Sequence, residues 1–148
     1  MKELFILTYD LDTLFEKTDK VLNSIQKIFP ITQEKLEDEE YFSKIDSFIF
    51  RVSKIQDILG AKFFKYSLME LLEYEENMSM IDILNKLEKL GILKKQEWIE
   101  FRNLRNFLTH MYITEPQYIE ENLKESFKMY QKLKQIYQNL KSRVISET

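Results

Sequence analysis

Thr114 to Val144 reads TEPQYIEENLKESFKMYQKLKQIYQNLKSRV, and this stretch decides the fold. Ile119, Leu123, Phe127, Tyr130, Leu133, Tyr137, Leu140 and Val144 recur at three- or four-residue steps, which puts apolar side chains on one stripe of a helix. Just upstream, Thr114 is placed as an N-cap, Pro116 falls in the first turn, and Gln117 stands as the reciprocal partner of a capping box. At the other end of the chain Leu4, Leu7, Leu11, Leu14, Val21, Ile25 and Ile28 predict an equally long first helix that ends before Pro30. Neither helix buries its stripe alone, so both must pack on others.

The segment between them supplies those others. Ile45, Phe48, Ile49, Val52, Ile55 and Leu59 predict a second helix, with Gly60 marking a kink or an end, and a third runs through Phe64, Leu68, Leu71 and Leu72. Ser79-x-x-Asp82 resembles a capping box that opens a helix through Ile83, Leu84, Leu87 and Leu90, closed by Gly91. Another helix spans about Lys95 to Met111, with Trp98 near its start. No β-hairpin signal, strand alternation or Gly/Ser-rich linker interrupts the pattern, and there are only two Gly and two Pro. The expected fold is all-α: one domain over residues 1–148, an antiparallel bundle of about five to six helices with long first and last members.

Composition narrows the chemistry. Zero cysteines exclude a disulfide framework and thiolate catalysis, and a single histidine excludes a histidine-rich metal site within one chain. No Gly-rich phosphate loop, paired-carboxylate spacing or Ser-His-Asp pattern is visible, so no cofactor is expected. No apolar run approaches the ~20 residues of a membrane span, and the opening residues lack the form of a signal peptide, so the expected location is the cytoplasm, with no membrane partner. A net charge of −3 argues against a nonspecific nucleic-acid coat. Charge is nonetheless uneven: Lys124, Lys128, Lys132, Lys134, Lys141 and Arg143 make the last helix basic, while Glu34, Glu37, Asp38, Glu39 and Glu40 make the approach to the second acidic. For most of those lysines the ordinary reading is a solvated face.

The residues that carry chemistry cluster in Arg102 to Tyr112. On a helix at about 100° per residue, Phe101, Leu104, Phe107, Leu108 and Met111 cover one arc, while Arg102, Asn106 and His110 form a ridge on the other. Arg105 and Tyr112 are nearly eclipsed on its flank. His110 is the only histidine, and two of the four arginines fall here. Imidazole exchanges a proton near neutrality, and the guanidinium fork matches phosphate oxygens in pairs. An ordinary solvated face would carry Lys and Glu instead. On the second helix, Gln56 projects into the apolar arc, where an unpaired amide costs about 1–3 kcal/mol. It must find partners, either on the polar ridge or on backbone at a helix crossing. Arg51, Lys54 and Asp57 lie opposite, with a Lys54–Asp57 salt bridge as the default.

Arg105-x4-His110-x-Tyr112, with Asn106 directly after the arginine, resembles the R-x4-6-H motif of HEPN domains, and the trailing tyrosine is the form seen in HepT-like toxins. Phe50–Gly60 and Asn85–Gly91 are similar to a small HepT-like subgroup, so the resemblance covers most of the chain. Thr109 and Met111 flank the histidine where relatives often carry small or acidic residues. The resemblance implies a metal-independent endoribonuclease toxin, working as a homodimer whose two protomers line one cleft. It also implies neutralisation by a minimal nucleotidyltransferase antitoxin that can adenylylate the motif tyrosine, here Tyr112. In that scheme the RNA 2′-hydroxyl attacks the adjacent phosphate. Arg105 holds that phosphate, His110 moves the proton, Asn106 orients His110 or the substrate, and Arg102 adds a second phosphate contact. One imidazole cannot both accept the 2′-proton and protonate the leaving oxygen on the opposite side, so the mechanism calls for two protomers. Substrate would be RNA, with tRNA among the candidates. Other HEPN proteins are non-catalytic interaction or substrate-binding subunits, and the same ridge would serve there as a docking surface.

Overall fold

The computed structural model describes residues 2–27, 29–109 and 115–145, and all of its regular structure is helical. Helix α1 spans Lys2–Gln26, α2 Gln33–Glu37, α3 Glu39–Ile58, α4 Phe64–Glu70, α5 Met80–Lys89, α6 Lys95–Thr109 and α7 Pro116–Val144. No strand occurs among the described residues, so the all-α bundle read from periodicity is the observed architecture.

Helix α7 buries the stripe its spacing dictates, from Ile119 to Leu140, with Val144 half-buried at the end. Its start differs by one position from the expected cap. Glu115 occupies the N-cap and makes no side-chain cap bond, Pro116 is the first helical residue, and Thr114 lies outside the described residues. Proline there sacrifices nothing, because the first amides of a helix have no intrahelical acceptor.

Helix α1 packs mainly against α3, and its buried line runs Leu4, Leu7, Thr8, Leu11, Phe15, Thr18, Leu22 and Ile25. Leu14 and Val21, expected in the core, are half-buried, and Ile28 lies outside the described residues. Phe15 and Leu22 take the buried positions beside Leu14 and Val21, and two threonines join the line. Each satisfies its hydroxyl on its own helix, Thr8 Oγ1 on Phe5 O at 3.0 Å and Thr18 Oγ1 on Leu14 O at 2.6 Å. A polar group bonded in this way is buried without an unpaired donor.

Gly60 marks a kink. Residues Leu59–Phe63 form one π-helical turn, and α4 continues directly from it. Leu71 caps α4, and the chain then reverses at Leu72 with φ 60°. Leu72, expected in the core, is 92% exposed as a result. Before α5, Ser79 Oγ accepts from Asp82 N at 3.1 Å and Asp82 Oδ2 accepts from Ser79 N at 3.0 Å, the reciprocal box expected there. Those bonds hold the exposed Asp82 carboxyl below its ordinary pKa. Gly91, at φ 75°, closes α5.

Two matching clamps tie α7 antiparallel to α1. Tyr130 donates to Asp19 Oδ1 at 2.6 Å and reaches Phe15 O at 3.0 Å, while Lys134 Nζ bonds Asp19 Oδ2 at 2.6 Å. Two turns away, Tyr137 donates to Asp12 Oδ1 at 2.6 Å and reaches Thr8 O at 3.2 Å, with Lys141 on Asp12 Oδ2 at 2.9 Å. Phe15 stacks on Tyr137 at 5.1 Å and packs on Tyr130 at 5.8 Å. These clamps, with Lys128 on Glu125 at 3.3 Å and Lys132 near Glu97 at 3.9 Å, absorb much of the basic charge of α7.

Burial, and next the hydrogen bonds and charge of Asp19 and Asp12, push both phenols well above their ordinary pKa. The folded state therefore holds two protons that the unfolded chain releases above about pH 10. Their contribution is complete below that pH and is lost as pH rises further. Alkaline titration followed by phenolate absorbance and circular dichroism should show Tyr130 and Tyr137 ionising only as the helices melt. Tyr130→Phe and Tyr137→Phe should each cost about 1–2 kcal/mol in urea unfolding. Ionisation of every tyrosine near pH 10 in a still-folded protein would disprove the clamps.

Candidate functional site

Helices α3 and α6 face each other across the π-turn, and a cleft of about 370 Å³ opens between them. Its floor is set by helix periodicity. Gln56 lies on the buried stripe of α3, and Gly60 falls one turn later. Trp98 anchors the first half of α6, 1% exposed and tilted against Phe64 at 4.9 Å. A Cβ on Gly60 would stand 3.3 Å from Trp98 Cζ2 and 3.5 Å from Met80 Cε, so the glycine lets the indole seat closely against the turn. Arg102, Arg105 and Asn106 line the same cleft from later in α6.

The structure thus brings together three of the residues singled out on the motif helix and adds Gln56 to them. Arg105 is the most connected. Its Nη2 donates to Asp57 Oδ2 at 2.9 Å, its Nη1 donates to Asn106 Oδ1 at 3.2 Å, and its Nε is covered with no protein acceptor. The Lys54–Asp57 bridge expected from spacing gives way to this contact. The packing of α6 on α3 puts a planar fork within reach of Asp57, whereas Lys54 has only a flexible stem on an open face. Arg51, the third member of that group, donates from Nη1 to Lys17 O at 3.2 Å and serves α1. Arg102 is exposed and has no ion-pair partner among the described residues.

His110 and Tyr112 lie outside the described residues, as does Met111, so the ridge is described from Arg102 to Thr109. Within that range the apolar arc is partly as expected. Leu108 is buried, Phe101 and Leu104 are half-buried, and Phe107 is 39% exposed with its ring edge-on to Tyr118 at 5.7 Å.

Gln56 is the unusual feature. It is 3% exposed, and neither its Oε1 nor its Nε2 has a hydrogen-bond partner in the protein. Neither partnership expected from the sequence, with the ridge or with backbone, describes it: Gln56 shares a cleft with the ridge and bonds to none of it. Trp98 Nε1 is likewise buried and unpaired in the same cleft. In the sequence Trp98 stands out only as a helix-start residue. A lone tryptophan one turn before an arginine is the available signal, and it is not distinctive.

A second, more apolar cleft of about 640 Å³ lies on the far side of the Arg105–Asp57 pair, bounded by Ile49, Phe50, Ile58 and Thr109. Phe50 is 66% exposed there. Arg105, Asp57 and Ala61 belong to both clefts, so the ion pair lies between them.

No protein-family model matches this chain, and no curated protein or solved structure matches it either.

A buried amide with no partner works against folding, whereas leucine of similar size would fill the same space without a desolvated dipole. Gln56→Leu should raise stability by about 1 kcal/mol or more in urea unfolding. A variant less stable than the parent would show that the amide is fully satisfied in the free protein.

Proposed function

We propose that this chain is a metal-independent endoribonuclease of the HEPN type, a HepT-like toxin acting as a homodimer. One observation carries the reading: Arg102, Arg105 and Asn106 line one open cleft from the later part of α6, the helix that precedes His110 in the sequence. The motif Arg105-x4-His110-x-Tyr112 gives this arrangement its chemistry.

In the proposed reaction, the 2′-oxygen of a ribose bonds to the adjacent phosphorus as the bond from phosphorus to the 5′-oxygen breaks, leaving a 2′,3′-cyclic phosphate and a 5′-hydroxyl. His110 of one protomer takes the 2′-proton, and the partner's imidazole protonates the leaving oxygen. Arg105 stabilises the charge that develops on the phosphoryl oxygens, Asn106 steadies the fork through the bond it already accepts, and Arg102 holds a neighbouring phosphate. Asp57 keeps the Arg105 fork at the cleft before substrate arrives, and an incoming phosphate competes with it. A minimal nucleotidyltransferase antitoxin would silence the enzyme by adding a nucleotide to Tyr112, filling the region that substrate needs.

The Arg105–Asp57 pair also favours a second reading. A guanidinium already matched by a carboxylate suits a non-catalytic HEPN module, in which the cleft docks a partner.

Cleavage of total tRNA by the purified protein separates the two. The catalytic reading expects a dimer in light scattering. It also expects His110→Ala and Arg105→Ala to lower the cleavage rate by about 100-fold or more while the helical signal stays intact. Parent protein that leaves RNA whole at every concentration would exclude the enzyme and retain the module.

A further inference from the structure

We infer that the cleft between α3 and α6 is a base-recognition pocket for an adenosine phosphate, with Gln56 reading the base. Four covered polar atoms at this cleft have no partner in the protein: Gln56 Oε1, Gln56 Nε2, Trp98 Nε1 and Arg105 Nε. They amount to one acceptor and three donors. Gln56 is 97% buried by its 3% exposure, and it lines the cleft from the stripe of α3 that otherwise carries only apolar side chains and Tyr41. Stability alone would select an apolar residue there, so the amide is explained by a ligand that satisfies it.

The pattern of unpaired groups selects the ligand. Adenine presents one exocyclic amino donor flanked by ring acceptors, N1 on one side and N7 on the other, with N3 across the ring. A glutamine amide pairs with its amino group and N7 in a two-bond contact. That contact uses Gln56 Oε1 and Nε2 together and leaves ring nitrogens for Trp98 Nε1 and Arg105 Nε. Guanine brings an additional N–H and an amino group that this set of donors does not accept. Uracil and cytosine match the amide but offer fewer acceptors to the remaining donors. The cleft, at about 370 Å³, lies within the usual range of small-molecule sites, roughly 300–1,000 Å³. Arg102, exposed at the same cleft, is placed for the phosphate. All four atoms are covered in the free protein, so this binding mode requires Gln56 and the arginines to turn toward the cleft.

The same chemistry belongs to an adenosine in an RNA strand and to a free adenine nucleotide. The strand form rests on the ribonuclease reading, and the pocket itself does not. Trp98 is the only tryptophan, so its emission reports directly on the cleft. The intact protein is titrated with AMP, GMP, CMP and UMP by Trp98 emission and by calorimetry, then with ATP and a short oligoadenylate.

AMP should bind at least about fivefold more tightly than the other three, the low end of what a two-bond base contact contributes. Gln56→Leu, expected to fold at least as well as the parent, should remove that preference. Gln56→Met serves as a second folded variant should the leucine form prove unstable. Oligoadenylate binding more tightly than AMP assigns the pocket to a strand, and ATP binding as tightly as the oligonucleotide assigns it to a free nucleotide. Equal binding of all four monophosphates, no binding, or an adenine preference that survives in Gln56→Leu would overturn the proposal. Adenine preference without RNA cleavage would remove the ribonuclease and keep the pocket. Cleavage without adenine preference would do the reverse.

Discussion

Two phenol hydroxyls that must find acceptors inside the bundle hold its ends together. Tyr130 and Tyr137 belong to the buried stripe of α7, and a buried hydroxyl left without a hydrogen bond costs stability. Asp19 and Asp12, two turns apart on α1, meet them in register, and Lys134 and Lys141 neutralise the carboxylates from the next turn of α7. The repeat fixes direction and register at once, because sliding one helix by a residue would strand both phenols. Phe15, seated on both tyrosine rings, fills the space between the clamps. With first and last helices joined, α3 has a fixed wall on which to pack, and α6 is in turn positioned on α3 and α7.

Periodicity makes most of this fold legible, since large apolar residues at three- and four-residue steps line up on one face of a helix and of little else. The last helix is readable almost residue by residue, and the Ser79 box and Gly91 stop are readable because capping chemistry is local. What escapes is whatever depends on a partner distant in sequence. Asp12 and Asp19 look like surface acids until the tyrosines more than a hundred positions away are brought beside them. Thr8 and Thr18 look polar until their hydroxyls are seen bonded to their own helix. Leu72 looks like core until the chain reverses beneath it. Locality likewise pairs Asp57 with its neighbour Lys54, and the tertiary contact with Arg105 prevails.

The site is legible in part. Scarcity of arginine points to residues placed for geometry, and three of the four make hydrogen bonds that fix them in the fold. Arg51 and Arg143 bond the carbonyls of Lys17 and Leu90 and stabilise helix packing. Arg105 alone combines a carboxylate partner, an amide partner and a covered, unpaired nitrogen on a side chain that lines a cleft. The odd position of Gln56 is visible because an amide interrupts an apolar arc. Its lack of any protein partner is not, since that depends on the shape of α6 as it crosses.

The π-turn explains why the cleft exists at all. An uninterrupted α-helix through Gly60 would keep the stripe of α3 in even contact with its neighbours and leave less open space beside Gln56. The wider turn at Leu59–Phe63 admits an extra residue, so Leu59, Phe63 and Phe64 are all buried while Gly60 and Ala61 face the cleft. Such turns carry poorer backbone hydrogen bonding and recur at functional sites. Here the local loss coincides with a second one, the unpaired Gln56 amide one turn upstream, and with a third, the unpaired indole of Trp98 across the gap. Three departures from the most stable arrangement meet at one cleft, whereas the α1–α7 contact is tied by paired clamps; single covered oxygens without a hydrogen bond also occur at Tyr41, Ser67 and Glu97. That distribution is what a stable scaffold holding a binding site requires, because the clamps supply the stability that the cleft gives up.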